Sequence, residues 1–185
     1  MKKISTAIAA VVFVAALFPV AASAEGEIGI GGRIDLVLAS SYKVSTAAGS
    51  FSGDGDFGAG FGLVADYKLM DFFKVGFDFT YYTVKAEGAN SRDGLISMGP
   101  RVIGCYAIQE VGPFDAITPY AFLTMGFGYY DGGNGKSGFW IVGGAGGELL
   151  FGSFGAFLEL SYGGNIMDDL TYTGFGMAIG GKYYF

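Results

Sequence analysis

Apolar and polar positions alternate with a period of two along most of this chain, the spacing that sends successive side chains to opposite faces of a β-strand. Eight segments carry the pattern. In the first, Ile28, Ile30, Ile34, Leu36 and Leu38 oppose Gly29, Gly31, Arg33 and Asp35. The second sets Phe57, Phe61, Leu63, Tyr67 and Leu69 against Gly58, Gly60, Gly62, Asp66 and Lys68. In the third, Phe73, Val75, Phe77, Phe79 and Tyr81 face away from Lys74, Gly76, Asp78, Thr80 and Tyr82. The fourth reads Ile96, Met98, Pro100, Val102 and Tyr106 against Ser97, Gly99 and Arg101. Pro100 lacks a ladder donor, which a closed barrel disfavours unless a bulge absorbs it.

The fifth offers Ala121, Leu123, Met125, Phe127 and Tyr129, with Tyr120, Thr124, Gly126 and Gly128 behind them. Hydrophobicity leaves the sixth undecided, because Trp140 and Val142 oppose Phe139 and Ile141. Glu148 fixes its phase, since a carboxylate is expensive against lipid; Phe139, Ile141, Gly143, Ala145 and Leu149 then point outward. The seventh places Ala156, Leu158, Leu160 and Tyr162 outside and Phe157, Glu159 and Ser161 inside. The eighth ends the chain on Phe175, Met177, Ile179, Gly181, Tyr183 and Phe185, against Gly176, Ala178, Gly180, Lys182 and Tyr184.

The charges then choose between a soluble sandwich and a membrane wall. Arg33, Lys68, Lys74, Arg101 and Lys182 all fall on the polar faces, as do Asp35, Asp66, Asp78, Glu148 and Glu159. No charge falls on an apolar face of these segments. A soluble barrel has charges outside and grease within. Ions inside a narrow protein interior are tolerable when they pair and hydrogen-bond, so five of each sign predict a structural ion-pair network in a filled lumen. The expected fold is all-β: an eight-stranded antiparallel up-and-down transmembrane β-barrel.

The amino end adds an address. Lys2 and Lys3 precede an apolar run from Ala7 to Val20, and Ala22-Ser23-Ala24 supplies small residues before Glu25. That is the pattern of a cleaved secretory signal peptide over 1–24, leaving a barrel domain over 25–185, and the run is too short to span a bilayer. Without Lys2 and Lys3 the chain carries 9 basic and 17 acidic residues, a net charge of −8, which argues against nucleic-acid binding. The 34 glycines speak against helices, each costing about 1 kcal/mol relative to Ala. Cys105 is the only cysteine, so no internal disulfide is possible.

Orientation follows from the connections, short turns belonging to the periplasmic side and longer loops to the outside. Met70-Asp71 and Gly152-Ser153 are the short turns, and Ala107–Thr118 is a long one on the same side. The expected outer loops are Ala39–Asp56, Lys85–Asp93, Asp131–Ser137 and Gly163–Tyr172. Aromatics gather at both ends, Tyr67, Phe73, Tyr106, Phe151, Tyr183 and Phe185 at one and Phe57, Tyr81, Tyr129, Phe139 and Tyr162 at the other, as interfacial girdles do.

Residues 26 to 185 resemble the small outer-membrane β-barrels of OmpA and OmpX type. The resemblance is carried by Tyr183-Tyr184-Phe185, Gly144-Ala145-Gly146-Gly147-Glu148, Leu158-Glu159-Leu160-Ser161-Tyr162, and Thr118-Pro119-Tyr120 leading into Gly126-Phe127-Gly128-Tyr129. It implies a bacterial outer-membrane location. It also implies that Phe175, Tyr183 and Phe185 form the signal read by the barrel-assembly machinery, with outer-membrane lipid and lipopolysaccharide as surroundings.

Candidate chemistry is sparse. Some small barrels of this class are lipid A acyltransferases or deacylases with a catalytic histidine, and this chain has no histidine. A Ser-His pair and the usual zinc site go with it. Asp35 and Glu159 read as members of the ion-pair network rather than as an acid and a base. Gly58, Gly60 and Gly62 lie in a strand with no helix after them, so they cradle no phosphate. Asp54-Gly55-Asp56 is too short a run of oxygen ligands for a calcium site, and Lys43, Lys85, Arg92 and Lys136 read as solvated loop charges. Neither an enzyme nor a cofactor is expected. What is expected is a surface barrel serving envelope structure or surface interaction, with a narrow channel for small solutes as the alternative and a soluble export-compartment barrel as the outsider.

Overall fold

Residues such as Val, Ile, Phe, Tyr and Thr suit a pleated, half-buried surface, and here they build one continuous wall. The computed structural model describes residues 27–46, 49–55, 58–85, 93–131 and 135–185. The expected signal peptide over 1–24 lies outside these residues, as do Asp56, Phe57 and Arg92. In chain order the strands are β1 (Ile28–Thr46), β2 (Gly49–Gly55), β3 (Gly58–Met70), β4 (Phe73–Val84) and β5 (Asp93–Cys105). They continue as β6 (Ile108–Val111), β7 (Phe114–Tyr130), β8 (Lys136–Phe151), β9 (Phe154–Met167) and β10 (Leu170–Tyr184).

Eight of them, β1, β3, β4, β5, β7, β8, β9 and β10, pair each with the next in antiparallel fashion. β10 then closes on β1, from Gly29↔Tyr184 to Val44↔Leu170. This is the expected eight-stranded up-and-down barrel. β2 and β6 are extensions. β2 continues β3 in the same register along β1 (Ser40↔Gly55, then Val37↔Gly58). β6 continues β5 along β7 (Cys105↔Tyr120, then Ile108↔Ile117).

Two expected connections are therefore more regular than their sequences suggest. Within 39–56, β1 and β2 form a hairpin, and within 163–172 the strands run on to a turn at Asp168-Asp169. The expected long turn 107–118 is a projecting hairpin that reverses at Gly112-Pro113, where Gly112 has φ 62°. Pro100 brings no bulge. The β5–β7 register is the same on both sides of it, Met98↔Phe127 and Arg101↔Thr124, with the rungs at Gly99 and Pro100 missing. The β4 side stays complete through Phe77↔Pro100. Gly99 and Gly126 let the two backbones approach there, since a Cβ on Gly126 would lie 2.6 Å from the Gly99 Cα.

Following partners around the wall from Gly32 leads through Leu63, Phe79, Met98, Phe127, Phe139, Ile166 and Thr171 to Lys43. The path returns to β1 11 residues above its start, 43 − 32, one of them the bulge residue Leu38. Over eight strands that stagger tilts them by roughly 45° from the axis. The exposed aromatics Phe175, on β10, and Phe185, just past its end, mark the two ends of the apolar band. Ten residue steps at that tilt give a height of about 24 Å, close to that of an outer-membrane barrel's apolar belt.

Candidate functional site

The barrel wall turns the usual protein inside out. Ile34, Phe61, Leu63, Leu158, Leu160 and Ile179 are exposed on the exterior, while Arg33, Asp66, Asp78, Arg101, Glu148, Glu159 and Lys182 are buried in the lumen. The inward phase of each strand puts them there, and the stagger between strands decides who meets whom.

The middle of the lumen is built on two arginines. Arg33 from β1 reaches across to β4, where its guanidinium lies 2.8 Å from Asp78 Oδ1 and donates to Thr80 Oγ1 at 2.8 Å. It also meets Glu159 of β9 at 3.3 Å and, through Nε, Asp35 of its own strand at 2.9 Å. Arg101 from β5 binds the same pair of carboxylates, Glu159 at 2.5 Å and Asp78 at 3.3 Å, with its side chain 0% exposed. The Phe122 ring lies 4.0 Å from that guanidinium, and Tyr120 donates its hydroxyl proton to Glu159 at 2.7 Å. Two arginines thus hold three carboxylates in one knot.

Toward the turn end lies a second tier. Lys182 pairs with Asp66 at 2.5 Å and approaches Glu148 at 4.0 Å. Lys74 approaches Glu148 at 3.7 Å, and Tyr184 donates to the same carboxylate at 2.6 Å. Phe157 packs under the Lys182 ammonium at 4.8 Å. Here two lysines face two carboxylates.

Lys68 departs from the expected network. Its partner is Asp71 at 3.0 Å, with side chains 36% and 96% exposed respectively. The β3–β4 register shifts between Lys68 and Met70, and the residue sits at the rim, where it folds back on the turn. The expected five-and-five balance becomes four cations against five carboxylates among the described lumen residues.

Toward the loop end the lumen turns apolar. Val84, Leu95, Met167 and Tyr172 form a buried cluster, with Tyr42, Tyr82, Tyr130 and Leu170 packed on it. Beneath it Ser97 and Asn165 hydrogen-bond at 3.3 Å, and Trp140 is buried. Tyr82, Ser97 and Trp140 lie on the inward faces expected from the sequence; the others fall beyond the alternating segments. On β1 the obstacle was a phase flip: β1 presents even-numbered residues outward up to Leu38 and odd-numbered ones from Ala39. Beyond that bulge Tyr42 turns in and Lys43 out. The outward phase of Phe175, Tyr183 and Phe185 needs no such correction; all three are exposed, and Tyr183 meets Phe185 edge to face at 5.0 Å.

No protein-family model and no curated protein matches this sequence. Solved structures do. The attachment invasion locus protein Ail of Yersinia pestis, in a complex with the heparin analogue sucrose octasulfate, is 18% identical; the match covers 88% of this chain and 100% of Ail, with a TM-score of 0.51. Neisserial surface protein A is 16% identical over 83% of this chain and 96% of its own, at 0.53. The chain has the fold of the small outer-membrane barrels. At these identities the likeness is one of shape, which agrees with the OmpA and OmpX resemblance at the level of the barrel and leaves the lumen of this barrel to be judged on its own residues.

Proposed function

We propose that this chain is an integral outer-membrane β-barrel of a bacterial envelope, exported on a leader over 1–24, with a barrel domain over 25–185 and no catalytic activity. It serves envelope structure or surface interaction. The observation that carries the proposal is the inverted polarity: an apolar exterior and a lumen crossed by Arg33 and Arg101, each bound to Asp78 and Glu159 on other strands. Eight strands enclose an interior about wide enough for side chains alone, and here large, paired side chains occupy it. Outer-membrane lipid and lipopolysaccharide surround the belt. The barrel-assembly machinery reads the strand ending in Tyr183 and Phe185.

Planar-bilayer recording of the refolded protein tests the filled lumen. The expected result is a silent bilayer; a steady ion-selective conductance would establish the narrow channel instead. A cavity beside Asp35 speaks for that second reading, and the two arginine bridges across the lumen speak against it.

A further inference from the structure

The central knot is one positive charge short. Arg33 and Arg101 face Asp35, Asp78 and Glu159, whereas the tier below balances Lys74 and Lys182 against Asp66 and Glu148. Asp78 and Glu159 each touch both arginines. Asp35 touches only the Arg33 Nε, and its side chain is 14% exposed. Its neighbours across the ladders are Gly60 on β3 and Ala178 on β10, which bring no donor to it.

Asp35 lines a cavity of about 60 Å³ whose other walls include Tyr82, Ser161, Asn165 and Tyr172. Glycines of β9 and β10 supply much of the remainder, so the space persists where side chains would have filled it. Tyr172 is 9% exposed, and neither its hydroxyl nor that of the neighbouring Ser40 is fixed by a hydrogen bond of normal geometry among the described residues. A net negative charge in a low-dielectric interior is costly unless a counter-charge joins it. A water takes about 30 Å³ of liquid volume, so the cavity has room for a small ion together with water.

We propose that this cavity binds a small monovalent cation of the sodium or potassium kind, held by the Asp35 carboxylate with neutral oxygens of Ser161, Asn165, Tyr82 and Tyr172. One unit of charge completes the balance of the knot. A divalent ion would overshoot it, and calcium seeks six to eight oxygens, usually including several carboxylates. The site rests on the filled-lumen reading only for its isolation from bulk solvent.

Trp140 is the sole tryptophan and is buried in the lumen, which makes its emission a local probe. The refolded barrel in detergent is titrated with sodium chloride against choline chloride at constant total salt, following Trp140 emission and the heat-unfolding midpoint. Sodium is expected to shift both saturably, choline neither. Asp35→Asn should abolish the sodium response, and Tyr172→Phe, which keeps the ring, should weaken sodium binding roughly tenfold, the worth of one hydrogen bond to a charge. Identical titrations in sodium and choline would overturn the proposal, with Asp35 then neutralised by a proton. So would a sodium response surviving in Asp35→Asn, or, if that variant does not fold, an unweakened one in Tyr172→Phe. Bilayer recordings on the same samples keep the two proposals apart: conductance with a sodium response sinks the filled lumen alone, and silence without one sinks the cation site alone.

Discussion

Two positively charged residues on neighbouring parts of this barrel have opposite fates because depth along a strand sets what a charge is worth. Arg101 is fully enclosed and bound to Asp78 and Glu159. Replacing it with Leu strands those carboxylates beside Arg33 alone, and breaking a buried pair in this way costs about 3–5 kcal/mol. Urea unfolding of the refolded barrel should show that loss. Lys68→Ala removes a pair whose acidic partner is 96% exposed, and the same measurement should barely move, since surface pairs contribute about 0–1 kcal/mol. Outside, Leu160→Lys or Ile179→Lys places a charge against the lipid belt at a cost of about 2–4 kcal/mol near the midplane. That loss should appear in lipid vesicles and shrink in a loosely packed detergent micelle. Equal stability of Leu160→Lys and its parent in vesicles would mean that the faces have been assigned the wrong way round.

At the scale of strands, the seam between β5 and β7 is a described stretch of wall with rungs missing in mid-strand. Pro100 leaves two rungs unmade there, and Pro100→Ala supplies an amide. One net hydrogen bond is worth about 0.5–1.5 kcal/mol, so the variant should unfold at higher urea and its new amide should exchange slowly with deuterium. Destabilisation by this change would show that the missing rungs are required by the close Gly99–Gly126 contact. The barrel staves were legible in the sequence because lipid and lumen differ in polarity and a strand samples them in turn. β2 and β6 were not, because Gly-Ser-Phe-Ser-Gly-Asp-Gly and Ile-Gln-Glu-Val carry little one-sided contrast and take their register from β3 and β5. The inward charges were legible as a set. Their partners were not, since partner choice depends on the 11-residue stagger, which no single segment encodes.

The whole molecule is a cylinder with three levels inside it: a balanced tier at the turn end, an arginine knot with a surplus carboxylate, and an apolar lid of tyrosines. The bulge at Leu38, which a count of alternating residues passes over, turns Tyr42 into that lid, and most of the rest lies at strand ends beyond the alternating segments, so the lumen was legible as polar and filled but not as layered. Seven of the eight barrel connections join neighbours in sequence. The eighth does not: Gly29 pairs with Tyr184, 155 residues away. That seam gives the protein a clock. Five of the eight staves can find both neighbours before β10 arrives, but β1 must wait with one raw edge until it does. Growth from one end can never yield a smaller finished object, and a chain without β10 is an open sheet rather than a shorter barrel.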